Sequence, residues 1–117
     1  MQSKHQTVVL CMIVRDEASV IIRSLDSVRD IVDAYSICDT GSTDNTIELL
    51  EAYFRDNELD GKVHQREWVD FAYNRNECFE LGRGKADYIM TLDADEVVVP
   101  LIDGVPRMDA KVTALPD

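Results

Sequence analysis

The chain has 117 residues, 45% of them hydrophobic, with 23 Asp and Glu against 12 Lys and Arg and a formal net charge of −11. That length and apolar content support one domain with a real core and exclude a disordered chain. The acidity excludes a general nucleic-acid surface, which needs a basic footprint, and argues against adhesion to anionic membranes.

The first element is an unbroken apolar run, Thr7 to Val14, rich in β-branched residues. It predicts a central strand buried on both faces and is too short to span a bilayer. Only Lys4 precedes it as a firm positive charge and no cleavage site follows, so it is a poor signal peptide. Arg15-Asp16-Glu17 ends the strand. Ala18, Ile21, Ile22, Leu25, Val28 and Val32 then repeat at helical spacing and predict an amphipathic helix. Tyr35 to Asp39 reads as a second strand. Thr40-Gly41-Ser42-Thr43-Asp44 follows as a turn with hydroxyl cap candidates, and Ile47, Leu50, Tyr53 and Phe54 give the next helix its inner face. Lys62 to Trp68 predicts a third, more polar strand, Asp70 to Leu81 a third helix stopped by Gly82-Arg83-Gly84, and Asp87 to Leu92 a fourth strand. This βαβαβαβ alternation implies a parallel sheet covered by helices. Residues 1–102 are expected to form the domain and 103–117 an irregular tail.

Cys11, Cys38 and Cys78 fall in apolar segments without C-x-x-C or His/Cys ligand spacing. They read as buried reduced thiols of a soluble, cytoplasmic chain. His64 has no partner at ligand spacing and is expected to be structural. Trp68 is expected in the core.

Chemistry concentrates at the predicted carboxyl ends of the strands. Arg15, Asp16 and Glu17 follow the first, Asp39 closes the second, Glu67 and Trp68 the third, and Asp93, Asp95 and Glu96 follow the fourth. Ligands of open α/β sheets bind beyond that edge. On extended backbone Asp93 and Asp95, two residues apart, would point the same way and could share one hard cation such as Mg²⁺ or Mn²⁺. A lone D-x-D is more often a solvated turn, so the weight comes from its company. In the third helix Arg75 falls at helical spacing from Phe71, Cys78 and Phe79, which places it on the buried stripe. Such an arginine must be paired, either with a core carboxylate such as Asp39 or Asp93 or with a nucleotide.

The blocks Leu10 to Glu17, Asp39 to Thr46, Trp68 to Asn76 and Asp87 to Glu96 closely resemble, in order, family 2 glycosyltransferases of the GT-A fold, over roughly residues 7–100. The resemblance implies a three-layer α/β sandwich with sheet order 3-2-1-4. It further implies a nucleotide-diphosphate-sugar site, commonly for a UDP-sugar, made by Val14, Arg15, Glu17, Asp39, Arg75, Asp93, Ala94 and Asp95. In it the 15–17 loop borders the nucleoside, the aspartate matching Asp39 recognises the base, and the arginine matching Arg75 lies beside the nucleotide. Asp93 and Asp95 hold ribose and a metal-bound diphosphate, with Asp95 the stronger ligand for Mn²⁺ or Mg²⁺. The reaction implied is inverting transfer to an acceptor hydroxyl of a glycan, protein or lipid.

Asp16 stands where such enzymes often have asparagine. Their acceptor-binding half and general base follow the D-x-D, and no motif supports Asp103 or Asp109 in that role. A non-catalytic nucleotide-sugar binding module is therefore the alternative. Phosphatase chemistry, suggested by the D-x-D-x-V string at Asp93 to Val97, lacks its downstream motifs. Exposed strand edges leave room for homo-oligomers.

Overall fold

The computed structural model of the protein describes residues 6–100 and 106–108. Its elements run β1 (Val8–Val14), α1 (Ile21–Ser27), β2 (Ala34–Asp39), α2 (Thr46–Asp56), β3 (Gly61–Gln65), α3 (Phe71–Gly82) and β4 (Tyr88–Thr91), then two short strands, β5 (Val98–Pro100) and β6 (Pro106–Met108). The main sheet has the order β3-β2-β1-β4, with every pairing parallel. β5 and β6 pair antiparallel in a separate two-stranded sheet. Residues 101–105 and 109–117, most of the expected tail and with it Asp103 and Asp109, lie outside the described residues, as does His5.

The apolar run of β1 explains the layering. Alternate side chains of a strand face opposite sides. Leu10, Met12 and Val14 pack into a cluster with Ile21, Leu25, Leu50 and Phe54 from α1 and α2. Val9 and Cys11 pack into a second cluster with Cys38, Cys78 and Ile89 beneath α3. A strand buried on both faces needs helices on both faces, which gives the three layers.

Two element boundaries moved from their predicted places. The helix expected from Ala18 onward is regular only over Ile21–Ser27, although Ile21, Leu25, Val28 and Val32 are all buried as their spacing predicts. The chain on either side continues in tighter turns, with Val20 and Ile21 donating to the Glu17 carbonyl and Ile31 and Val32 to that of Val28. β-branched residues crowd these flanks and weaken helix propagation there. β3 ends at Gln65 rather than Trp68. The strand has nothing to pair with once β2 stops at Asp39, whose carbonyl accepts the last amide, that of Arg66, at 2.9 Å.

Candidate functional site

β1 and β2 end side by side, with Val14 in register with Asp39. The loops that leave them, residues 15–20 and 40–45, are stitched together. Asp39 is fully buried, and its carboxylate accepts the amides of Gly41 at 2.9 Å and Ser42 at 2.8 Å and the Ser42 hydroxyl. Gly41 turns the chain at φ 115, a conformation that glycine takes without penalty. Asp16 sits at φ 53, and its Oδ1 accepts the amides of Thr43 at 2.6 Å and Asp44 at 3.1 Å. Sequence reading expected the hydroxyls of this turn to cap α2. They bond across to the other loop instead, and the carboxylate of Asp44 takes the Thr46 amide at 3.0 Å.

Asp93-Ala94-Asp95 follows β4, but its backbone turns there rather than running extended. The alternation rule that was to align the two carboxylates therefore does not apply. What fixes the turn is Ala94, buried in the α1/α2 cluster, together with Glu96, whose carboxylate accepts the Asp93 amide at 2.9 Å and whose own amide returns to the Asp93 carbonyl. Asp93 and Asp95 remain exposed. Burial first, then the carboxylates of Asp95, Asp44, Asp16 and Asp93, push the Glu17 carboxyl above its ordinary range. The acids of the first loop and of the post-β4 turn thus lie within electrostatic reach of Glu17. Among the described residues no three His, Cys, Asp or Glu side chains lie close enough together to hold a metal ion by themselves.

α3 corrects the reading of Arg75. Its buried positions are Asn74, Cys78 and Gly82, and Arg75 is exposed, its guanidinium 4.9 Å from the Phe71 ring centre. It forms no bridge to Asp39 or Asp93. The buried face lies one residue earlier because Asn74 is needed inside: its side chain accepts the Val69 amide at 2.8 Å and donates to the Glu67 carbonyl at 2.9 Å, pinning the loop before the helix. Asp70 caps the helix through the Tyr73 amide. That geometry leaves Trp68, Phe71 and Tyr73 half exposed, so Trp68 is not a core residue.

Arg75 nonetheless reaches the rim. With Phe71 it lines a cleft of about 310 Å³ that is also lined by Thr91, Leu92, Asp93 and Glu96 and by the buried Cys11 and Cys78. The structure therefore brings Arg75 and Asp93 to one cleft, and Glu17 close to Asp93 and Asp95. Val14 and Asp39 are enclosed behind the stitched loops, and Arg15 projects to solvent. His64 is half buried, and burial, then Lys62, Lys85 and Arg66, hold its pKa down. Cys11, Cys38 and Cys78 are all free and buried.

The sequence pattern of glycosyl transferase family 2 matches residues 9–112. The chain belongs to glycosyl transferase family 2. A TPR repeat-containing protein of Synechococcus elongatus is 41% identical over 91 residues, which are 77% of this chain and 21% of that protein. An uncharacterized glycosyltransferase of Rickettsia felis is 32% identical over 85 residues, 73% of this chain and 27% of its own length. The glycosyltransferase SunS of Bacillus subtilis is 30% identical over 97 residues, 82% of this chain and 22% of its own. The crystal structure of S. aureus TarS 1–349 shares the fold with a TM-score of 0.66 at 21% identity, over 79% of this chain and 28% of that one. The chain thus spans between about a fifth and somewhat over a quarter of the length of each of these proteins. The fold is the GT-A fold expected, with the strand order expected.

Proposed function

We propose that the rim of this domain binds a nucleotide-diphosphate sugar, a UDP-sugar first among them, as the donor for inverting transfer to an acceptor hydroxyl. The observation that carries this reading is the cleft between α3 and the post-β4 turn, about 310 Å³ in volume, which the cationic Arg75 and the carboxylate-bearing Asp93 both line. A diphosphate bound there meets one fixed positive charge and a nearby set of acids, which on their own would repel it. A divalent cation resolves that conflict. Mg²⁺ and Mn²⁺ are held through one or two carboxylates, with phosphate and water oxygens completing the shell. Asp95 and Asp93, exposed and without an ion pair among the described residues, match that donor set. When bound, the cation would neutralise charge on the departing diphosphate.

The remaining tasks fall to this chain's own groups. Arg75 is placed to pair with a phosphate oxygen, and Phe71 holds it in place from below. Arg15 and Glu17 border the nucleoside, with Val14 and Ala94 supporting the two walls from the core. Asp39 is the base reader of this proposal, a role that requires the loops enclosing it to admit the base. Its Oδ1 already receives two amides and its Oδ2 one hydroxyl, which leaves a single acceptor position on Oδ2. One vacancy suits one donor, such as the imide N–H of uracil. No general base is assigned. A solved TarS structure in complex with UDP-GlcNAc shares the fold with a TM-score of 0.66, and one in complex with UDP with 0.64, which supports the ligand class. The three free cysteines fit a reducing, cytoplasmic setting.

Calorimetry with UDP tests the reading. Wild-type protein should bind in the presence of Mn²⁺, and Asp95→Ala should weaken that binding at least tenfold while leaving the unfolding midpoint unchanged. Equal affinity of the two proteins, or equal affinity with and without Mn²⁺, would count decisively against the metal-linked donor site.

A further inference from the structure

The two loops that leave β1 and β2 are joined more closely than neighbouring loops need to be. Three consecutive amides of the first loop each end on a side chain of the second loop or of the first residue of α2. Asp16 N–H donates to Ser42 Oγ at 2.8 Å, Glu17 N–H to Thr46 Oγ1 at 2.9 Å and Ala18 N–H to Asp44 Oδ2 at 3.3 Å. In return, Asp16 Oδ1 accepts the Thr43 amide at 2.6 Å, the Asp44 amide at 3.1 Å and the Thr43 hydroxyl at 3.2 Å. Each loop therefore supplies what the other lacks, and neither can keep its conformation alone.

Two side chains hold the interlock. Ser42 Oγ receives the Asp16 amide and donates to Asp39 Oδ2, so it ties the first loop to a buried carboxylate at the end of β2. Asp16 carries the return set while sitting at φ 53, in the left-handed region that few side chains other than Asn and Asp adopt. A residue held in that conformation persists where its surroundings over-determine it. The loop so fixed carries Arg15 and Glu17, and the Glu17 carboxyl lies within electrostatic reach of Asp93 and Asp95.

We propose that Asp16 and Ser42 are positioning residues for the nucleotide: they lock the two rim loops into one unit that presents Arg15 and Glu17 to the donor. This inference rests on the donor-site reading above. The interlock removes the entropy that two free loops would lose on binding, so affinity depends on it even though neither side chain touches the ligand.

The test is UDP affinity by calorimetry in Mn²⁺ for wild type, Ser42→Ala, Asp16→Ala and Asp16→Asn, with amide hydrogen exchange on each. Asp16→Ala and Ser42→Ala should each weaken UDP roughly tenfold, the loss expected from one or two hydrogen bonds. Glu17 and Ala18 amides should exchange faster in both, with β1 and β2 amides unchanged. Asp16→Asn keeps an Oδ1 acceptor and tolerates the left-handed backbone, so its affinity should stay within about threefold of wild type. Should Asp16→Ala fail to fold, Ser42→Ala carries the test alone. Variants that exchange faster or melt lower yet bind UDP as wild type does would overturn the inference, since the interlock would then serve the fold only. Wild-type protein that does not bind UDP would overturn the donor-site reading, and this inference with it.

Discussion

Gly82 offers a test of the packing that places α3, and hence Arg75, over the sheet. A Cβ built there would come closer than 3.0 Å to Cys11 Sγ, in the lining of the cleft, and 3.6 Å from the Ser36 Cβ. Cys11 is buried and cannot swing clear. Gly82→Ala must therefore push α3 off β1 and β2, an overpacking cost of about 1–3 kcal/mol. Against that stands a gain of at most about 0.5 kcal/mol, because Gly82 is the last residue of α3 and glycine costs about 0.5–1 kcal/mol only in a helix interior. The net loss is about 0.5–3 kcal/mol, or about 2–12 °C in Tm for a chain of this size. Removing the sulfur should reverse the sign. In a Cys11→Ala background the added methyl fills the vacated space, so Gly82→Ala there should be neutral or stabilising by up to about 1 kcal/mol. Urea unfolding followed by circular dichroism, under reducing conditions and with m-values compared, measures all four corners of the cycle. A Gly82→Ala protein as stable as wild type, or a double variant showing simple additivity, would refute the close approach of α3 to β1.

Three further outcomes follow from the same geometry. Asn74→Ala removes the side chain that pairs with the Val69 amide and Glu67 carbonyl, so stability should fall by about 1–3 kcal/mol in thermal melts, with the 66–70 amides losing exchange protection. Asp70→Ala removes the α3 cap and should cost about 1 kcal/mol, while Asp70→Asn restores most of it. Glu17 titrates with a raised folded pKa, so its contribution to stability is fully present below its unfolded value near 4.5 and is lost as pH rises through the folded pKa. Glu17→Gln should therefore be the more stable protein at pH 7, by at most about 1 kcal/mol after solvent screening, and match wild type below pH 4. A wild-type advantage at pH 7 would contradict the crowding of acids at this rim.

The frame of the fold was legible because one physical signal dominates it. A continuous apolar run at Val8–Val14 and a second strand-like segment at Tyr35–Asp39, separated by helical spacing, admit little but a parallel sheet with helices on both faces. The same signal misled in α3. Phe71, at helical spacing from Cys78 and Phe79, reads as inward-facing, yet it is exposed, and the inward positions belong to Asn74, Cys78 and Gly82. Nothing in apolar periodicity marks a buried asparagine whose value is two backbone hydrogen bonds, or a glycine whose value is the absence of a side chain. The spacing of Asn74, Cys78 and Gly82, four residues apart throughout, was the available clue. The hydroxyl-rich turn from Thr40 to Thr46 was visible as a turn, but its partners were not, because a sequence does not show which loop lies alongside. Asp93 and Asp95 drew attention through their position after β4, and that position held although the extended backbone assumed for them did not.

Paramagnetic broadening measures the central claim most directly. With UDP present, trace Mn²⁺ added to isotope-labelled protein broadens amides within reach of the bound ion. The donor site predicts that broadening centres on Asp93 to Glu96, Arg15 to Glu17 and the first turn of α3, and that it weakens sharply in Asp95→Ala. Broadening spread over the acidic surface, or centred on the far end of the sheet around the start of β3 and the end of α2, would contradict it.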